Sequence, residues 1–303
     1  MEVLVSVMSA EDIYYHNILD KFAMGIRNFG DRVLLDSATG RGDVAIIFGS
    51  VKQGRGRSTH LVKKQLTEKF EKYVQIETPL VGRTINPLHK EFRVGINGFM
   101  WDSADWGFRH MTNERYKNFW SRFEYEKKDT WNDSGNHILI CMQKWGDASL
   151  GDVDTYEWCR NTVNEIRKHT QRPIIIRPHP IYRKKLKLAA LKREMLQLKS
   201  ITWRDTDFRI QGEIDTITQD LKDCWCTVTH TSGSAVDSVL NGVPNIATGT
   251  GNMAWPVSGH SLSEIESPYK GDKTDWLNKI AHCQWSVDEF RSGLCWEHVR
   301  KSL

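Results

Sequence analysis

Apolar residues along this chain come in short runs separated by amphipathic stretches. "DVAIIFGS" (43–50) and "KYVQIET" (72–78) are β-branched and read as strands, with "MEVLVSVM" (1–8) a first candidate. Between them "HLVKKQLTEKF" (60–70) carries the 3.6-residue spacing of an amphipathic helix. The stretch 95–135 is rich in Gly, Trp and Asp, shows little periodicity, and is predicted to be loops and short helices. A second alternation follows. "HILICMQ" (137–143), "RPIIIRPHP" (172–180), "DCWCTVTH" (223–230) and "PNIATGT" (244–250) read as strands. "DTYEWCRNTVNEIRKHT" (154–170) and "SAVDSVLNG" (234–242) read as helices, the latter stopped by Gly242. Strand–helix alternation of this kind predicts parallel sheets wrapped by helices. The expected organisation is an α/β chain with two doubly wound, Rossmann-like domains facing a cleft, over 1–132 and 133–275. Closing helices over 276–303 are expected to cross back, with Trp276, Trp285 and Trp296 as core anchors.

In such sheets ligands bind beyond the carboxyl ends of the strands. "IIIRPHP" ends a buried strand at Arg177 and His179, with two prolines denying any helical continuation. A guanidinium there offers a fork of donors suited to phosphate; a salt bridge to a neighbouring carboxylate is the alternative. "VTHTSGSAVDSVLNGVP" (228–244) then gives a strand, a hydroxyl- and glycine-rich turn and a helix. Thr231, Ser232, Gly233 and Ser234 present hydroxyls and amides at a helix start, which suits phosphate. Ordinary capping accounts for one such hydroxyl, not for four small polar residues in a row. The turn is neither a Walker A loop nor GxGxxG, so ATPase and dinucleotide readings lose support.

Composition narrows the class. With 303 residues, 12 Trp and 39% hydrophobic content the chain can bury a core. A net charge of +4 is mild, so local clusters carry more information than the total. The six cysteines form no CxxC pair and no metal-ligand spacing, which predicts reduced core thiols. No apolar run reaches the roughly 18 residues of a membrane span. The opening segment is too short and acidic for a signal peptide, so a cytoplasmic location without stable membrane insertion is expected.

"RPHP" followed by "HTSGSAVDSVLNGVPNIATG" resembles the donor-binding domain of GT-B glycosyltransferases, of the capsule-polysaccharide and Kdo-transferase type, over roughly 137–260. The resemblance implies that His179, Ser232 and Ser234 line the phosphates of a nucleotide-sugar donor, with Arg177 behind them. Gln143 and Lys144, in "CMQKWGD" (141–147), stand at the same rim. The tail, "DWLNKIAHCQWSVDEFRSGLCWEHV" (275–299), is similar to the ends of tailed-phage glycosyltransferases. Such phages often decorate hydroxymethylated pyrimidines of their own DNA.

Sugar transfer needs a base for the acceptor hydroxyl and positive groups for the leaving phosphate. Asp102, in "INGFMWDSADWGFRH" (96–110), is the first candidate base, and Glu77, at a strand end near Arg83, the second. A solvated loop carboxylate or a helix cap is the plain alternative for each. Asp102 and Asp105 form no DxD, so no obligatory metal or cofactor is expected, the nucleotide sugar being a co-substrate. "VKQGRGRSTH" (51–60) puts Lys52, Arg55 and Arg57 on a glycine-interleaved loop suited to DNA phosphates. The basic stretch 182–199 reads as a solvated helix face, with membrane-surface attachment as its other use. The acceptor expected from these features is a 5-hydroxymethylpyrimidine in duplex DNA. A lipid-linked or surface glycan is the alternative acceptor. A nucleotide-sugar epimerase and a non-catalytic DNA-binding protein are the rival functions.

Overall fold

The computed structural model describes residues 4–7, 13–35, 42–50, 58–82, 90–123, 127–180, 185–205 and 217–303. In chain order the elements are β1 (Leu4–Val7), α1 (Ile13–Asn28), β2 (Arg32–Leu35), β3 (Val44–Phe48), α2 (Ser58–Lys69), β4 (Tyr73–Glu77), β5 (Glu91–Ile96) and α3 (Asn113–Trp120). They continue with β6 (His137–Cys141), α4 (Thr155–Ile166), β7 (Ile174–Arg177), α5 (Lys185–Met195), β8 (Ile201–Trp203), α6 (Thr218–Leu221), β9 (Cys224–Thr229), α7 (Ser234–Leu240) and β10 (Asn245–Ala247). The chain closes with α8 (Thr274–Cys283), β11 (Gln284–Ser286), α9 (Val287–Ser292) and α10 (Leu294–Arg300).

These elements form two compact units. The first comprises residues 1–99, 103–123 and 277–303; the second comprises 100–102 and 124–276. The α/β class with parallel sheets, expected from the alternation, is what the chain adopts.

In the first unit the described strands form one sheet, ordered β11-β5-β4-β3-β1-β2. β2, β1, β3 and β4 run parallel, whereas β5 and β11 are added antiparallel to their neighbours. β3 is buried along its whole length, as a central parallel strand must be when both faces are covered. Ile46 and Phe48 face a core made with α1, α9 and α10 through Phe22, Phe290 and Trp296. Ala45 and Ile47 face α2 through Leu66 and Phe70.

The closing helices expected over 276–303 are three helices with a strand between the first two. Ser286 and Glu289 form a reciprocal capping box that starts α9, and Gly293, at φ 91°, stops it. Buried Gln284 of β11 accepts the amides of Leu80 and Val81 at 2.6 and 2.9 Å. Arg115 of α3 pairs with Glu289 and lies 4.0 Å over the Trp285 ring. The C-terminal residues are therefore part of the first unit's core. Trp285 and Trp296 anchor there as expected, and Trp276 is buried in the second unit, donating to the Met253 carbonyl at 2.8 Å.

The second unit holds a wholly parallel sheet, ordered β10-β9-β6-β7-β8 among the described residues. Alternate positions of each strand serve opposite faces. Ile138 and Ile140 meet α4 and α5 through Val163, Ile166 and Leu191. Leu139 and Cys141 meet Leu221 of α6 and Val243. All six cysteines are buried and none forms a disulfide. No helix among the described residues is long and apolar enough to cross a membrane.

Candidate active site

Renumbered within the second unit, the strand order is 3-2-1-4-5, and the direction of winding reverses between β6 and β9. That reversal opens a crevice beyond the strands' carboxyl ends, the place where doubly wound sheets take their ligands. Four chain segments leave the sheet there: Met142–Lys144 after β6, Pro178–Pro180 after β7, His230–Ser234 after β9, and Thr248–Gly251 after β10.

Gln143 and Thr231 meet across the reversal. The Thr231 amide donates to Gln143 Oε1 at 2.9 Å, and Gln143 Nε2 donates to Thr231 Oγ1 at 3.0 Å and to Ser149 Oγ at 2.8 Å. The Thr231 hydroxyl in turn donates to the Ser149 carbonyl at 2.7 Å, and the Ser149 hydroxyl to Asp147 at 2.8 Å. Each of these groups has its hydrogen bonds from within the protein. Gln143 and Thr231 therefore hold the two loops together and set the shape of the turn. Lys144, half-buried, is the next residue of the same loop.

The remainder of the turn is more open. Ser232 Oγ accepts the Ser234 amide at 3.2 Å and lies 3.1 Å from its hydroxyl, so it performs the capping of α7 that Gly233, the formal cap, has no side chain to perform. Ser232, Gly233 and Ser234 are half-buried at the crevice edge. His179, two residues past β7, is half-buried as well, between Pro178 and Pro180.

Arg177 has a different setting. It is the last residue of β7, on the face shared by Ile175, and its guanidinium pairs with Asp220 of α6. Both side chains are buried, at 6% and 7% exposure. Arg204 reaches the other oxygen of Asp220 at 3.2 Å. The salt-bridge alternative is thus the geometry found. Asp220 lies 43 residues from Arg177 in sequence, and no local pattern announces it.

Behind the turn lies a fully buried polar network. Asn245 Oδ1 accepts from Thr227 at 2.9 Å and Thr229 at 3.0 Å, while Asn252 Nδ2 donates to Thr229 Oγ1 at 2.9 Å and to the His230 carbonyl at 2.8 Å. The network fixes the segment after β10 against the end of β9. That segment carries Asp102: Thr250 Oγ1 donates to its carboxylate, and the Trp101 amide donates to the Gly251 carbonyl at 3.1 Å. Asp102, exposed, groups by its contacts with the second unit.

Glu77 ends β4 in the first unit, where its carboxylate accepts the Thr78 amide at 3.3 Å. Nearby Lys63 of α2 has its ammonium pKa pushed down by burial, an effect Glu77 partly offsets. Asp105 is occupied by the Gly107 amide at 2.8 Å and by Arg109 at 3.5 Å. Lys52, Arg55, Arg57 and Arg83 lie outside the described residues. Among the described residues no three His, Cys, Asp or Glu side chains gather in a group that could hold a metal ion.

His230 is the residue at this edge that the hydroxyl pattern passes over. It directly precedes the four small polar residues and is the first residue beyond β9. Its position at a strand's carboxyl end was the available signal.

No family model matches the sequence, and no curated protein matches it either. Among solved structures the chain is similar to Thermosulfurimonas dismutans KpsC, beta Kdo 2,4 transferase, with a TM-score of 0.58 and 16% identity over 93% of this chain and 90% of that one. It is similar as well to Thermosulfurimonas dismutans KpsC, beta Kdo 2,7 transferase, with a TM-score of 0.54 and 14% identity over the whole of both chains. At such identities the likeness is one of fold, and the fold is GT-B-like.

Proposed function

We propose that this protein is a glycosyltransferase that moves a sugar from a nucleotide-sugar donor to an acceptor hydroxyl. The observation that carries the reading is the crevice edge of the second unit, where the Ser232–Ser234 turn and His179 stand beyond β9 and β7, the two strands that flank β6, at the reversal of a 3-2-1-4-5 sheet. Chain-wide likeness in fold to two sugar transferases supports it. His179, Ser232 and Ser234 hold the donor phosphates, Gln143 and Thr231 shape the turn, and Lys144 adds positive charge for the leaving group. Asp102 is the acceptor base, with Glu77 the alternative. Transfer proceeds without an obligatory metal.

Two acceptors are proposed. The two similar solved structures, both Kdo transferases, favour a saccharide hydroxyl. The glycine-basic loop of Lys52, Arg55 and Arg57, with Arg83, and the likeness of the tail to phage proteins favour a hydroxymethylpyrimidine in duplex DNA. The test offers the protein UDP-, GDP- and CMP-sugars with either a hydroxymethylated duplex or an oligosaccharide, with and without EDTA, and weighs the products. Sugar gained by one acceptor identifies it, and EDTA should leave the yield unchanged. Donor isomerisation without an acceptor would point to an epimerase. Salt-sensitive DNA binding with no nucleotide binding would point to a non-catalytic DNA-binding protein. His179→Ala and Ser232→Ala should each weaken nucleotide binding by about 1–3 kcal/mol, and unchanged affinity in both would remove the phosphate assignment. Asp102→Asn should lower turnover by roughly 10²–10⁴ with donor affinity retained.

A further inference from the structure

His230 is held more firmly than a strand-end residue requires. Its carbonyl is tied to Asn252 at 2.8 Å, and its ring is fixed on three sides. The Trp158 ring lies against it at a centroid distance of 6.4 Å. Gly249 lies against another side: a Cβ there would come within 2.7 Å of His230 Cε1 and 2.9 Å of Thr231 Cγ2, so only glycine leaves the imidazole its place. On the third side Nδ1 is 3.0 Å from Thr248 Oγ1.

That last contact selects the tautomer. An indole nitrogen can only donate, so Trp158 Nε1, 2.8 Å from Thr248 Oγ1, makes the hydroxyl oxygen its acceptor. The single hydroxyl hydrogen then has two candidate acceptors. One is the Thr229 carbonyl at 3.4 Å, which already accepts the Thr248 amide at 2.9 Å. The other is His230 Nδ1, closer at 3.0 Å. The shorter contact to the less occupied acceptor is favoured, which leaves Nδ1 bare and puts the ring hydrogen on Nε2. Among the described residues nothing pairs with Nε2. Burial lowers the imidazole pKa below its ordinary 6.5, so the ring is neutral at pH 7.

We propose that His230 is a donor-binding residue whose Nε2–H donates to an oxygen of the sugar-bearing phosphate, and that Thr248 and Trp158 are positioning residues that fix its tautomer. The proposal rests on the nucleotide-sugar reading of the same crevice. A clamped neutral donor needs no reorientation when charge builds on the departing phosphate.

Two measurements test it. Nitrogen NMR of the ligand-free protein labelled at histidine reads the tautomer: His230 should be neutral at pH 7 with its hydrogen on Nε2, and Thr248→Val should give a mixture. A wild-type ring protonated on Nδ1 overturns the relay. Calorimetry with CMP, UDP and GDP reads the ligand role. His230→Phe, which keeps the bulk without the donor, should bind the preferred nucleotide roughly ten- to a hundredfold more weakly. His230→Gln, which returns an N–H near Nε2, should recover most of that loss, and Thr248→Val should lose a smaller factor. If His230→Phe does not fold, Thr248→Val carries the test: affinity below the wild type's supports the role of His230, and unchanged affinity overturns it. Wild-type binding with unchanged affinity in His230→Phe and Thr248→Val leaves the nucleotide-sugar reading standing and overturns the role of His230. Binding of none of the three nucleotides by the wild type overturns both.

Discussion

Arg177 shows how far a single residue can be read from its neighbours in sequence. A guanidinium past three isoleucines at a strand end has the chemistry to hold phosphate, and the segment alone leaves that use and a salt bridge equally available. The choice is made by Asp220, brought beneath β7 by α6. Removing one member of a buried ion pair typically costs about 3–5 kcal/mol, because the other charge is left uncompensated. Arg204 remains beside Asp220, so Arg177→Met should fall at the lower end of that range in denaturant unfolding, with nucleotide affinity changed far less than in His179→Ala. A loss of affinity with stability intact would return Arg177 to the phosphate. A second residue-scale consequence concerns His298, buried in the first unit. Burial lowers its pKa to about 4, with His282, His110 and Arg115 opposing protonation further and a hydrogen bond to the Trp106 carbonyl opposing the shift. An imidazole whose folded pKa lies below its unfolded value near 6.5 contributes stability that is fully present above that pH and lost on acidification towards 4. Melting temperature should therefore fall between about pH 6.5 and 4, and His298→Gln should flatten the slope.

At the scale of elements, legibility followed length and periodicity. β3, β4, β6, β7 and β9 lie within strands expected from β-branched runs, because parallel strands covered on both faces have to be apolar nearly throughout. β2, β8 and β11 have three or four residues each and no longer β-branched run around them to mark them. α1 escapes a search keyed to runs because its signal is a spacing: Ile18, Leu19, Phe22, Ala23 and Ile26, all buried against the first sheet. Its one glycine has a reason that no helix propensity supplies. A Cβ on Gly25 would stand 1.8 Å from the Phe290 carbonyl oxygen and 3.0 Å from Gly293, so α1 and α9 approach backbone to backbone. Propensity alone predicts that Gly25→Ala stabilises the helix by roughly 0.5–1 kcal/mol. The contact predicts a loss of about 1–3 kcal/mol instead, from forced separation of the two helices. The sign of the change in chemical denaturation decides between them.

For the whole molecule, alternation of strands and helices announces the α/β class, but not which sheet the last residues complete. Tertiary pairing over more than 180 residues joins β11 to β5, and nothing local to either strand encodes it. The consequence for stability is large. Trp285, Phe290, Trp296 and Val299 all lie in the first unit's main core. Full burial of a large apolar side chain is worth roughly 1.5–3 kcal/mol, so these four together contribute about 6–12 kcal/mol. A typical domain has a net stability of only about 5–15 kcal/mol. Three polar ties would be lost with them: Gln284 to Leu80 and Val81, Glu289 to Arg115, and Trp296 with Arg300 to Asp31. A chain ending at Trp276 should therefore lose the cooperative folding of its first unit. The second unit, with a separate core around Ile140, Val163 and Val228, should keep its own. Hydrogen exchange followed by mass spectrometry separates the two: amides of β3, β4 and β5 should exchange rapidly in the truncated chain while those of β6, β7 and β9 stay protected. Protection retained in β3–β5 would mean that the first sheet folds without its closing segment, and that the C-terminal residues decorate the core without completing it.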